Sequence, residues 1–173
     1  VGTNVLVARC VGCGDEERSQ RIVGCSVVVS LICGIVLLFV GFFGARTFLV
    51  WMDCDADVLD MAVKYLKIYF LGMPIMMLYN FSTAVLRGVG DTLRPLLYLV
   101  LGGVVNVILN IVFVLVFKKD VEGVAIATVA SQGIAAILAV IALLKEDGAA
   151  KLTLKNLRID GKELWNMTKI GLP

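Results

Sequence analysis

Between Arg21 and Lys145 the chain alternates long charge-free apolar runs with short charged connections, and it does so four times. The runs occupy residues 22–45, 68–86, 95–117 and 123–144. Each is about 19 to 24 residues long, the length an α-helix needs to cross roughly 30 Å of hydrocarbon at about 1.5 Å per residue. A soluble helix rarely continues so far without a charge, because its solvent face must be polar. Ahead of them, the first ten residues (VGTNVLVARC) read as the end of an earlier helix. The pattern predicts an all-α polytopic membrane protein, with four complete transmembrane helices following the end of a preceding one.

The connections differ in kind. Asp53, Asp55, Asp57 and Asp60 open a segment that starts as a loop, turns helical near Asp57 and runs into the second span. Gly72-Met73-Pro74 lies early in that span, where proline removes a backbone donor and bends a helix. Residues 118–122 make a tight connection, so the third and fourth spans form an antiparallel hairpin. Past Lys145 the pattern changes. Leu152, Leu154, Leu157, Ile159, Leu164, Trp165, Met167 and Ile170 alternate with basic and polar residues. Residues 162–170 suit an amphipathic helix resting on the membrane interface. We therefore divide the chain into a bundle, 1–144, and a linker, 145–173. The chain opens without an initiator methionine or a signal peptide and stops at Gly171-Leu172-Pro173, which reads as an internal fragment of a longer protein.

Composition adds one exclusion and charge adds an orientation. Apolar residues make up 60% of the chain and the mean hydropathy is +0.94, outside the range of soluble domains. Basic residues number 16 and acidic ones 14, so net charge names no partner, and no basic face or motif points to nucleic acid. One set of alternate loops holds Arg9, Arg18, Arg21, Arg87, Arg94, Lys145, Lys151, Lys155, Arg158, Lys162 and Lys169, eleven in all; the other holds Arg46, Lys64, Lys67, Lys118 and Lys119, five. The positive-inside rule puts the first set in the cytoplasm. Trp51, Tyr65 and Tyr69 then stand near the outer boundary, where amphipathic rings are favoured.

Candidate chemistry is sparse. Histidine is absent, and of five cysteines only Cys10 and Cys13 have metal-like or redox-like spacing, with no second pair to complete a site. We expect no metal, no cofactor and no enzyme, since catalysis in a membrane needs a buried base, nucleophile or carboxylate cluster. Cys25 and Cys33 read as packing residues between helices. Polar groups within the spans are amides and hydroxyls: Asn80, Ser82 and Thr83 in the second, Asn106 and Asn110 in the third, Thr128, Ser131 and Gln132 in the fourth. Asn106 and Asn110, four apart, share a helix face. Such groups either join helices, at about 0.6 kcal/mol per hydrogen bond, or line a polar cavity. Asn80, Ser82, Ser131 and Gln132 read first as helix-joining groups. For Asn106, Asn110 and Thr128 both readings stand at this point, and the family resemblance given below implies a substrate or cation cavity; Asn80 is carried as a fourth candidate. In the loop that follows, Gly88 and Gly90 permit tight turns, Asp91 caps the next helix, and Thr92 and Pro95 open it. Gly12-Cys13-Gly14-Asp15 echoes Gly88-Val89-Gly90-Asp91, as an internally duplicated transporter would.

Several of these pieces resemble one family. Val1-Gly-Thr-Asn with Ala8-Arg9 and Gly12-x-Gly14-Asp15, then Tyr79-Asn80-Phe81 with Leu86-Arg87-Gly88-x-Gly90-Asp91-Thr92-x-x-Pro95, resemble the multidrug and toxic compound extrusion (MATE) transporters. So do Asn106-x-x-x-Asn110 and the stretch from Gly123 through Thr128 to Ser131-Gln132. The resemblance implies part of a six-helix lobe of a twelve-helix transporter, from the end of helix two through helix six to the entry of the second lobe at Gly171-Leu172-Pro173. It also implies a secondary antiporter of a bacterial-type plasma membrane. Small organic, often cationic, compounds would leave in exchange for Na+ or H+ by alternating access. The partners would be membrane lipid and the second lobe of the same polypeptide. In one prokaryotic branch an Asn on helix five, an acidic residue four places on, a Thr on helix six and an Asp on helix one hold the coupling cation. Asn106 and Thr128 match two of these; Asn110 stands where that branch has the acid. An amide cannot titrate, but its carbonyl oxygen can ligate Na+, a hard cation. Coupling through acidic residues of the other lobe is the alternative. A lipid-linked oligosaccharide flippase of the same superfamily would carry a basic cavity, which these spans lack, and a non-transporting scaffold would not need aligned polar faces.

Overall fold

The computed structural model describes residues 2–52, 55–116, 121–152 and 161–171. They form seven helices: α1 (Gly2–Gly12), α2 (Glu16–Trp51), α3 (Ala56–Leu71), α4 (Met73–Gly88), α5 (Leu93–Leu115), α6 (Val121–Lys145) and α7 (Gly161–Gly171). No strand occurs among the described residues. By length and composition α2, α5 and α6 are each able to cross a membrane, and α3 with α4, bent by 47°, forms either a fourth, broken crossing or a re-entrant pair. The fold is therefore all-α and polytopic.

Two boundaries depart from the apolar runs for identifiable reasons. Helix α2 begins six residues before its run, in polar sequence. The Asp15 carboxylate accepts the Arg18 N–H at 3.1 Å, and Glu16 and Glu17 sit where the helix dipole favours negative charge. The result is a 36-residue helix about 54 Å long, which projects beyond the hydrocarbon. The second run, expected as one span from residue 68, is two helices. The Gly72 N–H closes α3 onto the carbonyls of Ile68 and Tyr69, and Pro74 in the first turn of α4 has no donor to continue the ladder. Gly34 of α2 receives this corner: a Cβ there would lie 2.4 Å from the Pro74 Cα. The bend is packed in place.

Helix α4 sits centrally, against α1, α2 and α6; α6 also packs on α3 and α5. Val7, Ile22, Val23, Cys25, Val85, Leu86 and Leu143 are fully buried within one cluster at the basic end. Helix α5 meets α6 along one side and turns Leu97, Val104, Val107, Ile108 and Ile111 outward, each more than half exposed, as a lipid-facing helix must. Cys33 is exposed on α2, so only Cys25 of that pair fills a helix contact. Residues 117–120, and Leu154, Leu157 and Ile159 of the linker, lie outside the described residues.

One face of the final helix packs on the bundle. The Met167 side chain is buried against α1 and α2, its sulfur 3.9 Å from both the Thr3 and Ser26 hydroxyls, and Leu164 and Ile170 pack on the same cluster. Arg18 clasps Glu163 at 2.9 and 3.3 Å. The amphipathic pattern across residues 162–170 thus serves a helix–helix contact, and Trp165 alone of its large apolar groups stays exposed.

The two Gly-rich loops are the same turn built twice, 76 positions apart. Cys13, Gly14 and Asp15 donate backbone N–H groups to the carbonyls of Arg9, Val11 and Cys10 at 3.0–3.1 Å. Val89, Gly90 and Asp91 donate to Val85, Arg87 and Leu86 at 3.0–3.1 Å. Gly14 (φ 70°) and Gly90 (φ 91°) occupy the left-handed region, which closes a helix at little cost only for glycine. Each aspartate then caps the next helix, Asp15 on Arg18 N and Asp91 on Arg94 N, both at 3.1 Å. Each arginine reaches a glutamate beyond α6: Arg18 pairs with Glu163, and Arg94 with Glu146.

Candidate functional site

The α5–α6 crossing is close because small residues face each other. A Cβ at Gly102 would stand 3.3 Å from the Ala135 Cβ and 3.7 Å from the Ser131 carbonyl oxygen, and Ala127 and Ala139 are buried on the same helix. One turn beyond Gly102, this approach brings Asn106 onto the polar face of α6. Its Nδ2 donates to Thr128 Oγ1 at 3.3 Å and to Ser131 Oγ at 3.2 Å. One turn further, Asn110 Nδ2 donates to Asn106 Oδ1 at 2.9 Å. Ser131 is buried, 2% exposed, and Asn106, Asn110 and Thr128 are half-buried.

This network has a direction. The Thr128 hydroxyl donates to the Val124 carbonyl and the Ser131 hydroxyl to the Thr128 carbonyl, both at 2.9 Å. Both protons are committed to backbone, so both oxygens act as acceptors and only the NH2 end of Asn106 suits them. Asn106 Oδ1 must then face Asn110, which answers with its own NH2. The chain ends on Asn110 Oδ1, which is buried and has no hydrogen-bond partner. A bare carbonyl oxygen in hydrocarbon calls for a donor or a cation. No ionisable group takes part in these bonds.

Of the sequence candidates, the structure brings Asn106, Asn110 and Thr128 together and leaves Asn80 out. Asn80 is exposed on α4, where it lines a cavity of about 310 Å³ with Thr3 and Met167 and another of about 370 Å³ with Thr83 and Arg87. Helical spacing ranks residues on one helix but says nothing of what lies opposite. Ser131, read from sequence as a helix-joining group, is a full member of the cluster; its position three residues after Thr128 was the available signal. Gln132 takes no part in the network. Ser82 Oγ is buried without a partner elsewhere on α4. In the loop motif, Arg87 folds back onto Thr83, with Nε 3.2 Å from its carbonyl and Nη2 3.3 Å from its hydroxyl, while Pro95 is buried in the first turn of α5. Gly88, Gly90, Asp91 and Thr92 build the turn and cap described above.

A sequence profile of the MatE family matches residues 1–112, a span that includes α1 to α4, the repeated turn and both asparagines. The chain belongs to the MatE family. Among MatE relatives, a probable multidrug resistance protein of Bacillus subtilis strain 168, YoeA, is 29% identical over 99% of this chain and 39% of its own length. The multidrug export protein MepA of Staphylococcus saprophyticus is 22% identical over 100% of this chain and 38% of its own. The chain thus spans about two fifths of the relatives it matches. Among solved structures, the inward-facing conformation of a multidrug resistance MATE family transporter of the MOP superfamily aligns with a TM-score of 0.93 and 27% identity, over 100% of this chain and 40% of that one. The outward-facing conformation of such a transporter aligns with a TM-score of 0.91 and 26% identity, over 99% and 38%. The MatE arrangement of α1 to α7 is therefore close to both conformations.

Proposed function

We propose that this chain forms most of one lobe of a secondary antiporter that exports small organic, often cationic, compounds, and that the α5–α6 cluster takes Na+ as the coupling ion. Asn110 Oδ1 carries the reading: it is a buried carbonyl oxygen with no donor, at the end of a network whose other groups are matched. Na+ prefers oxygen ligands, and the cluster offers no side chain that a proton could charge. The multidrug export names of the relatives support the substrate class. The near-equal likeness to inward- and outward-facing structures supports a cycle in which this lobe moves as a unit against a second lobe of the same polypeptide. The loops rich in arginine and lysine, with the segment after α6, would face the cytoplasm of a bacterial-type cell, by the positive-inside rule.

The test is efflux of a cationic dye from proteoliposomes holding the full-length protein, under an imposed Na+ gradient and separately an imposed H+ gradient. Efflux driven by Na+ and lost in Asn110→Ala supports the assignment. Efflux driven only by H+, or indifferent to Asn110→Ala, moves the coupling site away from this cluster.

A further inference from the structure

We infer that Ser131 is a positioning residue for the ion site: it sets which end of the Asn106 amide faces α6 and thereby leaves the oxygen, not the nitrogen, of Asn110 free for the ion. The inference rests on the reading of the α5–α6 cluster as a cation site.

An asparagine side chain is nearly symmetric in shape and has opposite chemistry at its two ends, so its direction is set only by its neighbours. Here two acceptors set it. The Asn106 NH2 group carries two protons and meets two oxygens, Thr128 Oγ1 and Ser131 Oγ, whose own protons are held by the Val124 and Thr128 carbonyls. In the reversed orientation Asn106 Oδ1 would face both oxygens lone pair to lone pair. It would also set its NH2 against that of Asn110, which would then turn its own NH2 outward. The open end of the site would present protons and repel a cation. Ser131 thus acts at a distance, through two amides, on an atom it does not touch.

Ser131→Ala removes one of the two acceptors with almost no change of volume. One Asn106 proton is left unpaired, and the balance between the two amide orientations moves toward the reversed one. Loss of one net hydrogen bond of ordinary strength corresponds to about a three- to tenfold change in that balance. The readout is the Na+ concentration giving half-maximal dye efflux by full-length protein in proteoliposomes. Half-saturation scales inversely with the correctly oriented fraction, so Ser131→Ala should raise it by up to that three- to tenfold factor, with the change in half-saturation rather than in maximal rate, and Ser131→Thr, which keeps the hydroxyl, should restore it. The decisive comparison is the same substitution in an Asn110→Asp background at alkaline pH. Both oxygens of an ionised carboxylate are acceptors, so an oxygen stays free for the ion whichever way Asn106 points, and Ser131→Ala should not raise half-saturation there. An equal shift in both backgrounds would mean that Ser131 merely packs, and no shift in either would remove it from the site. If Asn110→Ala alone leaves the Na+ dependence untouched, or wild-type efflux shows none, the cation site itself fails and this role with it.

Discussion

Asn106 and Asn110 are adjacent members of one network, yet stability and transport should separate them. Replacing Asn106 with alanine removes three hydrogen bonds, two to α6 and one from Asn110. At about 0.6 kcal/mol each within a membrane these sum to about 2 kcal/mol. The substitution also strands the Asn110 NH2 in a site without another acceptor, which adds about 1 kcal/mol or more. Replacing Asn110 removes one hydrogen bond, about 0.6 kcal/mol; it strands Asn106 Oδ1 and at the same time deletes the buried unpartnered Asn110 Oδ1, so these two desolvation costs offset each other. The net loss should stay near about 0.6 kcal/mol, small beside that at Asn106. Thermal unfolding of full-length protein in one detergent, alongside dye efflux at fixed Na+, measures both quantities. Asn106→Ala should be clearly destabilised, Asn110→Ala should melt close to wild type, and both should lose Na+-driven efflux. A melting loss for Asn110→Ala as large as that for Asn106→Ala would refute the reasoning, because it would make Asn110 a helix-joining residue whose oxygen is satisfied in the native protein.

Further expectations follow from the packing. Gly102→Leu should force α5 off α6 and destabilise the protein by about 1–3 kcal/mol, whereas Gly102→Ala, whose Cβ would meet Ala135 at 3.3 Å, should be far milder; melting temperatures rank the two. Gly14→Ala and Gly90→Ala should each lower stability by about 1–2 kcal/mol through the left-handed backbone they must adopt, and by similar amounts because the turns are equivalent; unequal losses would deny the equivalence. Cys13 is exposed and Cys10 is buried at the base of α7, so a maleimide should label Cys13 first. Glu163→Arg, which breaks the clasp with Arg18, should speed labelling of Cys10, and Arg18→Glu in the same protein should slow it again.

The crossings were legible because hydrocarbon makes a simple demand: an uncharged run of fixed length. Where the outcome depended on a partner, the chain was less readable. Gly72-Met73-Pro74 announced a bend, but its placement needed Gly34, almost forty residues away on α2. The amphipathic stretch around Met167 could face lipid headgroups or another helix with the same spacing, and the Thr3, Ser26 and Arg18 contacts are what show helices on one of its faces. The shared face of Asn106 and Asn110 was read from their spacing, and their place in a site with Thr128 from the family resemblance. Ser131 escaped because a serine in an apolar helix ordinarily bonds its own preceding turn. It does so here as well, and that bond is what turns its oxygen into an acceptor for Asn106. Asn80 was drawn in by polarity alone, and polarity does not say which neighbour it meets.

The twin turns also determine how force enters this bundle. Arg18 stands in the first turn of α2 and Arg94 in the first turn of α5, and each is fastened to a glutamate that comes after α6. Glu163 ties α7 to the start of α2, and Glu146 ties the end of α6 to the start of α5. Helix α5 carries both asparagines, so strain applied at Glu146 reaches Asn110 along a single uninterrupted rod of 23 residues. The loop that looked like a repeated ornament in the sequence fastens the start of the helix that carries both asparagines to the segment that follows α6.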